Sequence, residues 1–488
     1  MTKAQITSLA KEAKSLEPDS EERSLLLSKS LNYSNHFLQS LDAQKAYQKF
    51  DKTVNKLLDE PLTDAPSNVE KVISDIEHKI VPPGLNPASG AHFGYIPGGG
   101  LFSSAVGDYL TAITNRYAGV YFSSPGAVAL ETKLINWMAE LIGYDGKAGG
   151  YLSSGGSMAN LTAIVTAREN AKIGSQDISR TVVYLTEQTH HCVDRALMIA
   201  GMKDCAKRYI NLDDKSRMKS PELKKTIQKD KEKGLIPWMI VASAGTTDTG
   251  AIDALKEIGE ISSEENLWYH VDAAYGGFFL LTEEGKQKLK GINLADSVVL
   301  DPHKGLFLPY GSGALVVKDV EKLAKAHRYD AHYMQDTKID AGMYSPAELS
   351  PELSKHFRGL RMWMPLKLHG IKAFRSALQE KLLLTRYTWQ KLDQMKDIEV
   401  GAEPDLTVFT FRWAPDGVAD LDEMNKKLHK AIVNDGRVFL STTRIENEFR
   451  FRFVVLSVRS HLKEIELFLT VLREIITKTE QNISELSN

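Results

Sequence analysis

The sequence predicts an α/β protein built around a mostly parallel sheet. Short apolar runs alternate with helical stretches from residue 181 to residue 318, which is typical of a parallel sheet with helices on both faces. Polar residues able to do chemistry follow several of these runs, at the edge where such sheets bind ligands. Strands are predicted over 181–186, 207–211, 238–243, 267–272, 296–300 and 313–318. Helices are predicted between them over 191–201, 220–233 and 254–265.

Composition restricts the class of protein. A chain of 488 residues exceeds one ordinary hydrophobic core, so two or three packed units are expected. The net charge of −2 gives no support for a nucleic-acid partner, and no apolar run is long enough to span a bilayer. Cys192 and Cys205 are the only cysteines, too few for a disulfide framework or a cysteine-built zinc site. With no apolar signal region at the amino terminus, we expect a cytoplasmic protein without a metal.

Residues 1–85 are predicted to form a separate helical segment. Asp19 and Glu22 have the spacing of a capping box and begin one helix. Further helices are predicted over 43–58 and 68–80. Amphipathic helices need a surface to cover, so we expect packing on the main body or on a partner subunit.

A glycine- and serine-rich stretch marks a candidate anion site. Residues 151–160 are predicted to open a helix that runs to about Lys172. Backbone N–H groups and hydroxyls at a helix start can hold a phosphate, here at Gly156 and Ser157. The alternative is that a serine simply caps the helix. Lys304, farther along the chain, favours the phosphate site.

Asp272 and Lys304 each follow a predicted buried strand. A lysine held against a packed sheet loses hydration, which can lower its pKa and make its amine a nucleophile. A pyridoxal 5'-phosphate site needs such an amine for a Schiff base and an acid that keeps the ring nitrogen protonated. Alone, each residue would be assigned to a solvated loop or a helix cap; together they favour the cofactor site.

The last third of the chain is predicted to form a second unit. Residues 327–351 have weak periodicity and are predicted to form a long, lid-like loop. The chain is then helix-rich to about residue 395 and alternates strands with helices to its end. Strands are predicted over 406–412, 438–441 and 449–458, with a helix over 421–435 and another at the end.

Three motifs resemble those of the group II pyridoxal-phosphate-dependent amino-acid decarboxylases, in particular aromatic-L-amino-acid decarboxylases. They are His270-Val-Asp-Ala-Ala-Tyr275, Asp301-Pro-His-Lys304 and the stretch 357–363. The resemblance implies the fold-type I architecture of aspartate-aminotransferase-like enzymes, with a seven-stranded, mostly parallel sheet. It implies a helical dimerisation segment at 1–85, a cofactor-binding α/β domain at 86–355 and a small α+β domain at 356–488.

The resemblance also implies roles for single residues. Lys304 is the Schiff-base lysine, Asp272 the carboxylate on the pyridine nitrogen, and His190 the imidazole stacked on the ring. Tyr333 is the lid tyrosine that protonates the product carbanion, although a lid aromatic without chemistry is the alternative. The remaining implied cofactor contacts are Ala274 on the other ring face, Gly156, Ser157 and His303 at the phosphate, and Thr246 near the ring oxygen.

Some positions depart from the family pattern or have no assigned role. Many members have Asn where Asp301 stands and Trp where Gly305 stands. Because an ionised Asp301 would repel a phosphate, no cofactor contact is assigned to it, and the role of Arg358 stays open. The glycine run 98–100 replaces bulkier residues near the expected substrate pocket.

The expected reaction is decarboxylation of an L-amino acid, with aromatic substrates favoured. Tyr95 and Tyr117 lie in loops that contact substrate in similar enzymes, and His190 is expected to contact it too. An acidic substrate would need another pocket cation, for which Arg116 is the obvious loop candidate. The sequence also leaves open a carbon–carbon lyase reaction and a non-catalytic, cofactor-binding role. Similar enzymes imply a homodimer with shared active sites.

Overall fold

The computed structural model describes residues 2–50, 52–328 and 343–487 of the chain. The described residues form a helical amino-terminal arm, a large α/β region and a smaller α+β region. Within them, no helix is both long and apolar enough to cross a bilayer.

The arm is mainly helical. Its elements are α1 (Lys3–Ala13), α2 (Ser20–Ser40), α3 (Lys56–Asp59) and α4 (Val69–Asp75), with strands β1 (Tyr47–Gln48) and β2 (Gly84–Leu85), followed by β3 (His92–Phe93). The capping box at α2 is confirmed, because Asp19 accepts from the Glu22 backbone while the Glu22 carboxylate accepts from the Asp19 N–H. The prediction of a helix over 43–58 is wrong. Tyr47 instead donates its N–H to the Gly436 carbonyl, and β1 pairs with β2, so tertiary hydrogen bonds override the local helical pattern.

The large region contains a seven-stranded sheet, so the predicted mostly parallel architecture is confirmed. Its strands are β4 (Gly149–Ser153), β5 (Thr181–Leu185), β6 (Ala206–Tyr209), β7 (Ile236–Ser243), β8 (Trp268–Asp272), β9 (Ser297–Leu300) and β10 (Gly313–Val317). They lie in the order β4-β10-β9-β8-β7-β5-β6, and β10 is antiparallel to both of its neighbours. All six predicted strands are present within two residues at each end.

The sequence does not predict strand β4, because residues 151–153 read as part of the following helix. Its two leading glycines argue against a strand on propensity alone. The structure explains Gly150, because a Cβ there would lie 1.9 Å from the Leu315 carbonyl oxygen of the paired strand β10.

Helices cover both faces of this sheet. They are α5 (Phe102–Thr114), α6 (Pro125–Ile142), α7 (Gly156–Asn170), α8 (Cys192–Ile199), α9 (Ser220–Glu232), α10 (Leu255–Glu265), α11 (Glu283–Lys288), α12 (Pro302–Gly305) and α13 (Val320–His327). Strands β5, β9 and β10 are fully buried runs, as Val182, Val298 and Leu315 show.

The small region packs a five-stranded sheet against helices. Its elements are α14 (Gly359–Asp393), β11 (Ile398–Val400), β12 (Val408–Trp413), α15 (Leu421–Asp435), β13 (Phe439–Ile445), β14 (Glu448–Val454) and α16 (Leu462–Ser487). The sheet order is β11-β12-β14-β13-β3, with β3 parallel to β13. Strand β3 therefore pairs with the small sheet although it lies in the range 86–355 predicted for the large domain. The domain boundaries remain a prediction.

A buried ion pair anchors residues 343–358, the segment that leads into α14. Lys355 Nζ lies 2.6 Å from Glu131 Oε2 of α6, and the two side chains are 0% and 3% exposed. Glu131 Oε1 also accepts from the backbone N–H groups of Arg358 (2.8 Å) and Gly359 (3.1 Å). The Arg358 guanidinium pairs with Glu352 at 3.2 Å, so Arg358, to which the sequence assigns no role, helps to hold this segment.

Replacing Glu131 should destabilise the fold strongly. Glu131→Gln leaves the Lys355 ammonium buried without a countercharge, a change that typically costs about 3–5 kcal/mol. We expect a loss of that size in the free energy of unfolding, measured by chemical denaturation. The control is Glu264→Gln, which breaks an exposed pair with Lys224 and should cost less than about 1 kcal/mol. Equal losses in the two variants would show that the buried pair does not anchor this segment.

Candidate active site

A cavity of about 290 Å³ opens where β5, β7, β8 and β9 end and α7 begins. Its lining contains every residue predicted to contact the cofactor: Gly156, Ser157, His190, Thr246, Asp272, Ala274, His303 and Lys304. The parallel strands bring their carboxyl ends to one edge of the sheet, which is why residues far apart in sequence meet here. The roles of these residues stay predictions.

Asp272 ends β8 with both carboxylate oxygens engaged. Oδ1 accepts from the Ala274 N–H at 3.1 Å, and Oδ2 accepts from Asn160 Nδ2 at 3.0 Å. Each oxygen of a carboxylate can accept more than one hydrogen bond. Asp272 therefore presents a fixed negative group to the cavity, with capacity for a further donor.

Lys304 lies on the short helix α12, directly after β9. Its Nζ is 2.9 Å from Asp301 Oδ2. Burial by itself would lower the pKa of Lys304, but the carboxylates of Asp301 and Asp272 outweigh burial and raise the pKa above its usual value. The lowered pKa predicted from burial is therefore wrong for this chain, because the prediction left out Asp301.

Asp301 is buried, and its second oxygen has no hydrogen-bond partner among the described residues. It faces the start of α7, where a Cβ on Gly156 would lie 3.0 Å from Asp301 Oδ2. No side chain caps this helix, whose N-cap residue is Gly155, so the serine-cap alternative is not what forms. The free N–H groups of the first turn suit an anion, while Asp301 opposes one.

Two histidines border the cavity. His190 Nδ1 accepts from the Cys192 N–H at 3.2 Å, and burial lowers the pKa of the His190 ring, which favours its neutral form. His303 Nδ1 lies 2.5 Å from the Ser312 carbonyl oxygen and donates to it. Burial also lowers the pKa of His303, so Nε2 can donate to an anion only when the ring takes a second proton.

Of the three predicted substrate residues, His190 lines the cavity, whereas Tyr95 and Tyr117 do not. Tyr95 is 53% exposed, and its ring packs on Phe439 with 5.9 Å between ring centroids. The Tyr117 hydroxyl donates to the Leu353 carbonyl at 3.1 Å. Tyr333 lies outside the described residues.

The glycine run 98–100 supports the lysine segment. A Cβ on Gly98 would lie 2.2 Å from the His303 carbonyl oxygen, so only glycine allows this approach. Gly99 and Gly100 have φ of +87° and +69°, a conformation that also favours glycine. The structure therefore accounts for Gly98 by backbone packing beside Lys304, and for Gly99 and Gly100 by their positive φ.

Sequence reasoning missed Asn160 and Gln188 in the cavity lining. Asn160 lies four residues after Gly156 on α7, so the two share one helix face, and this spacing was the signal that could have found it. Its Nδ2 donates to the Cys192 thiol (3.3 Å) as well as to Asp272. Gln188 Oε1 is buried without a partner among the described residues, and nothing in its sequence context marked it.

Comparison with known proteins identifies the family. Residues 52–414 match the model described as the pyridoxal-dependent decarboxylase conserved domain. The chain belongs to this family. An aromatic-L-amino-acid decarboxylase from Bacillus atrophaeus is 37% identical over 379 residues, which cover 77% of this chain and 78% of the relative. A phenylacetaldehyde synthase from Arabidopsis thaliana is 27% identical over 429 residues, covering 84% of this chain and 87% of the relative.

The fold is also shared with solved structures. A structure of the Oryza sativa enzyme TDC with PLP and tryptamine superposes with a TM-score of 0.90 at 21% identity, covering 95% of this chain and 99% of that one. The fold-type I prediction is confirmed, and the protein is a pyridoxal-phosphate-dependent amino-acid decarboxylase.

The residues of the cavity fit pyridoxal 5'-phosphate. An uncapped helix start can hold the phosphate, Asp272 can face the ring nitrogen, and Lys304 supplies the amine. His190 and Ala274 also line the cavity, where each can pack on one face of the cofactor ring. Only Asp301 opposes the fit, because an ionised carboxylate and a phosphate repel each other.

Replacing Asp301 should speed cofactor capture by the cofactor-free protein. Asp301→Asn removes the nearer of the two carboxylates that raise the pKa of Lys304, so that pKa should fall. Only the neutral amine attacks an aldehyde. At a pH below the pKa, each unit by which the pKa falls raises the neutral fraction about tenfold. Stopped-flow absorbance should therefore show faster formation of the covalent complex near neutral pH.

The pH dependence distinguishes this effect from phosphate repulsion. If Asp301→Asn acts through the pKa of Lys304, its rate advantage shrinks once the pH exceeds the Lys304 pKa of both the variant and the wild type. If it acts by relieving phosphate repulsion, the advantage persists at that pH. A rate–pH profile with the same midpoint in the variant and the wild type would contradict the assigned role of Asp301.

Proposed function

We propose that the protein removes CO₂ from an L-amino acid with an aromatic side chain and releases the amine. The observation that carries this proposal is the convergence of Asp272 and Lys304 on one cavity, between a free helix start and the half-buried imidazole of His190. The similarity to the aromatic-L-amino-acid decarboxylase of Bacillus atrophaeus supports the aromatic substrate.

Each side chain has a separate task. The cofactor, when bound, supplies the electron sink that accepts the electron pair left by CO₂. Asp272 would hold the ring nitrogen protonated, which would deepen that sink. Lys304 would hold the cofactor through its amine and release the product amine, and the His190 imidazole would support the ring. We assign to Tyr333 the proton that replaces CO₂ on the α-carbon.

The charges of the cavity favour an aromatic over an acidic substrate. Among the described residues that line it, Lys304 is the only lysine or arginine, and that amine already faces Asp301. A substrate side-chain carboxylate would find no other permanent cation among these described lining residues. The lining also includes Ile96 and the ring of Tyr275, which suit an apolar substrate group.

We further propose that the enzyme is a cytoplasmic homodimer whose subunits complete each other's active sites. Apolar side chains of the arm are exposed in the single chain, including Leu9, Leu25 and Leu31 at 65%, 49% and 52%. A second copy would cover such a surface. Tyr95 and Tyr117 lie outside the cavity of their own chain, so we assign them to the cavity of the partner subunit.

Lys304→Ala should abolish both covalent cofactor binding and CO₂ release. The substitution removes the amine that attaches the cofactor, so the visible absorption band of the attached cofactor should disappear. The wild type should release CO₂ from aromatic amino acids in a panel that also contains glutamate, aspartate and cysteine sulfinate. Release from the acidic substrates alone would contradict the aromatic assignment, and no release despite bound cofactor would favour a non-catalytic protein.

Tyr333→Phe tests the proton donor. Loss of a positioned acid typically lowers the rate about 10²–10⁴-fold, and we expect amine formation to fall by that factor. Amine and aldehyde should be measured together, because one relative of this chain is a phenylacetaldehyde synthase. Unchanged amine formation would show that Tyr333 is a lid aromatic without a chemical role.

A further inference from the structure

A line of buried polar side chains connects Asp272 to the interior of the sheet. Trp268, His270 and Asp272 alternate along β8 and so lie on the same face of the sheet. His270 pairs across the strands with Ser297 of β9. Asn160 of α7 packs on the same face and contacts both His270 and Asp272.

The contacts along this line are short and almost completely buried. Trp268 Nε1 donates to Ser297 Oγ at 2.9 Å, and Ser297 Oγ lies 2.7 Å from His270 Nδ1. His270 Nε2 lies 2.7 Å from Asn160 Oδ1, and Asn160 Nδ2 donates to Asp272 Oδ2 at 3.0 Å. Asn160, His270 and Ser297 are each 0% exposed, so water cannot replace a lost partner.

The chemistry of the groups sets one direction for every hydrogen bond. A carboxylate only accepts, so Asn160 must turn its NH₂ group to Asp272 and its oxygen to His270. That oxygen also only accepts, so His270 Nε2 carries a proton. Burial lowers the pKa of His270 and keeps the ring neutral, which leaves Nδ1 as an acceptor for the Ser297 hydroxyl. Ser297 in turn accepts from the Trp268 N–H, which can only donate.

We propose that Trp268, Ser297, His270 and Asn160 form a relay that positions the Asp272 carboxylate toward the cofactor's ring nitrogen. Asn160 donates a hydrogen bond to the Asp272 carboxylate, which stabilises the negative charge of that group. The earlier members fix the orientation of the Asn160 amide, because a flipped amide would set two acceptors against each other. This inference rests on the proposed function, to which it adds the residues that act through Asp272.

Asn160→Leu tests the relay in the full-length protein loaded with pyridoxal 5'-phosphate. The variant keeps the side-chain size but leaves Asp272 without its side-chain donor. Hydrogen bonds to charged groups are typically worth enough to change a rate about 10- to 100-fold, and we expect kcat to fall by that factor. KM should change little, because Asn160 supports the ring nitrogen and not the substrate.

The cofactor itself provides a readout independent of turnover. With Asp272 less firmly held, the ring nitrogen is protonated less completely, so the visible absorption spectrum of the bound cofactor should change. The dissociation constant for pyridoxal 5'-phosphate should also rise. These measurements separate the two proposals: a wild type that releases no CO₂ refutes the function, whereas the spectrum and affinity still test the relay.

Asn425→Leu is the matched control. Asn425 is also 0% exposed and makes buried hydrogen bonds to Trp413 and Leu421, but it lies in the small region and does not line the cavity. It should lower thermal stability while leaving kcat per bound cofactor and the cofactor spectrum unchanged. If the two variants reduce kcat equally, or if Asn160→Leu changes neither kcat nor the spectrum, the relay is refuted.

His270 offers a second test that does not depend on Asn160. His270→Gln can still place an N–H near Asn160 Oδ1, whereas His270→Leu cannot. We expect Gln to retain a larger share of kcat and a more wild-type cofactor spectrum than Leu. Should the larger changes prevent folding, Ser297→Ala removes a single hydroxyl and should lower kcat several-fold, and an unchanged kcat and spectrum in that variant would overturn the proposal.

Discussion

The parallel pairing of β8 with β9 is the constraint on which the site depends. Its register sets Asp272 beside Val299, so the acid lies next to the strand that leads into α12 and Lys304. Parallel strands need a long connection between them, which is why Asp272 and Lys304 are far apart in the sequence although they line one cavity. The packing of α7 on the same sheet then adds the helix start and Asn160.

Charge balance explains the features that the family pattern leaves open. Among the described lining residues, two carboxylates, Asp272 and Asp301, share the cavity with one amine, and their negative charge raises the pKa of Lys304. A phosphate brings more negative charge, which the start of α7 and a protonated His303 can offset. A chain with Asp at position 301 therefore binds its cofactor against an opposing charge that Asn would not impose.

Much of this arrangement follows from the sequence because the signals are local. Five of the six predicted strands of the large sheet are apolar runs bounded by turn residues, the exception being 207–211, and the motifs around Asp272 and Lys304 are contiguous. The failures are tertiary: the range 43–58 has a helical pattern but pairs with distant backbone, and β4 begins with glycines that only the close approach of β10 explains. The raised pKa of Lys304 and the Asn160 relay depend on distances between elements, which spacing along the chain does not give.

The central claim is that Lys304, and no other lysine, forms the covalent link to the cofactor beside Asp272. Borohydride reduction of the cofactor-loaded protein, followed by peptide mass spectrometry, tests it most directly. We expect the mass of the reduced pyridoxyl phosphate group on the peptide that contains Lys304. The same mass on another lysine, or on none, would contradict the claim.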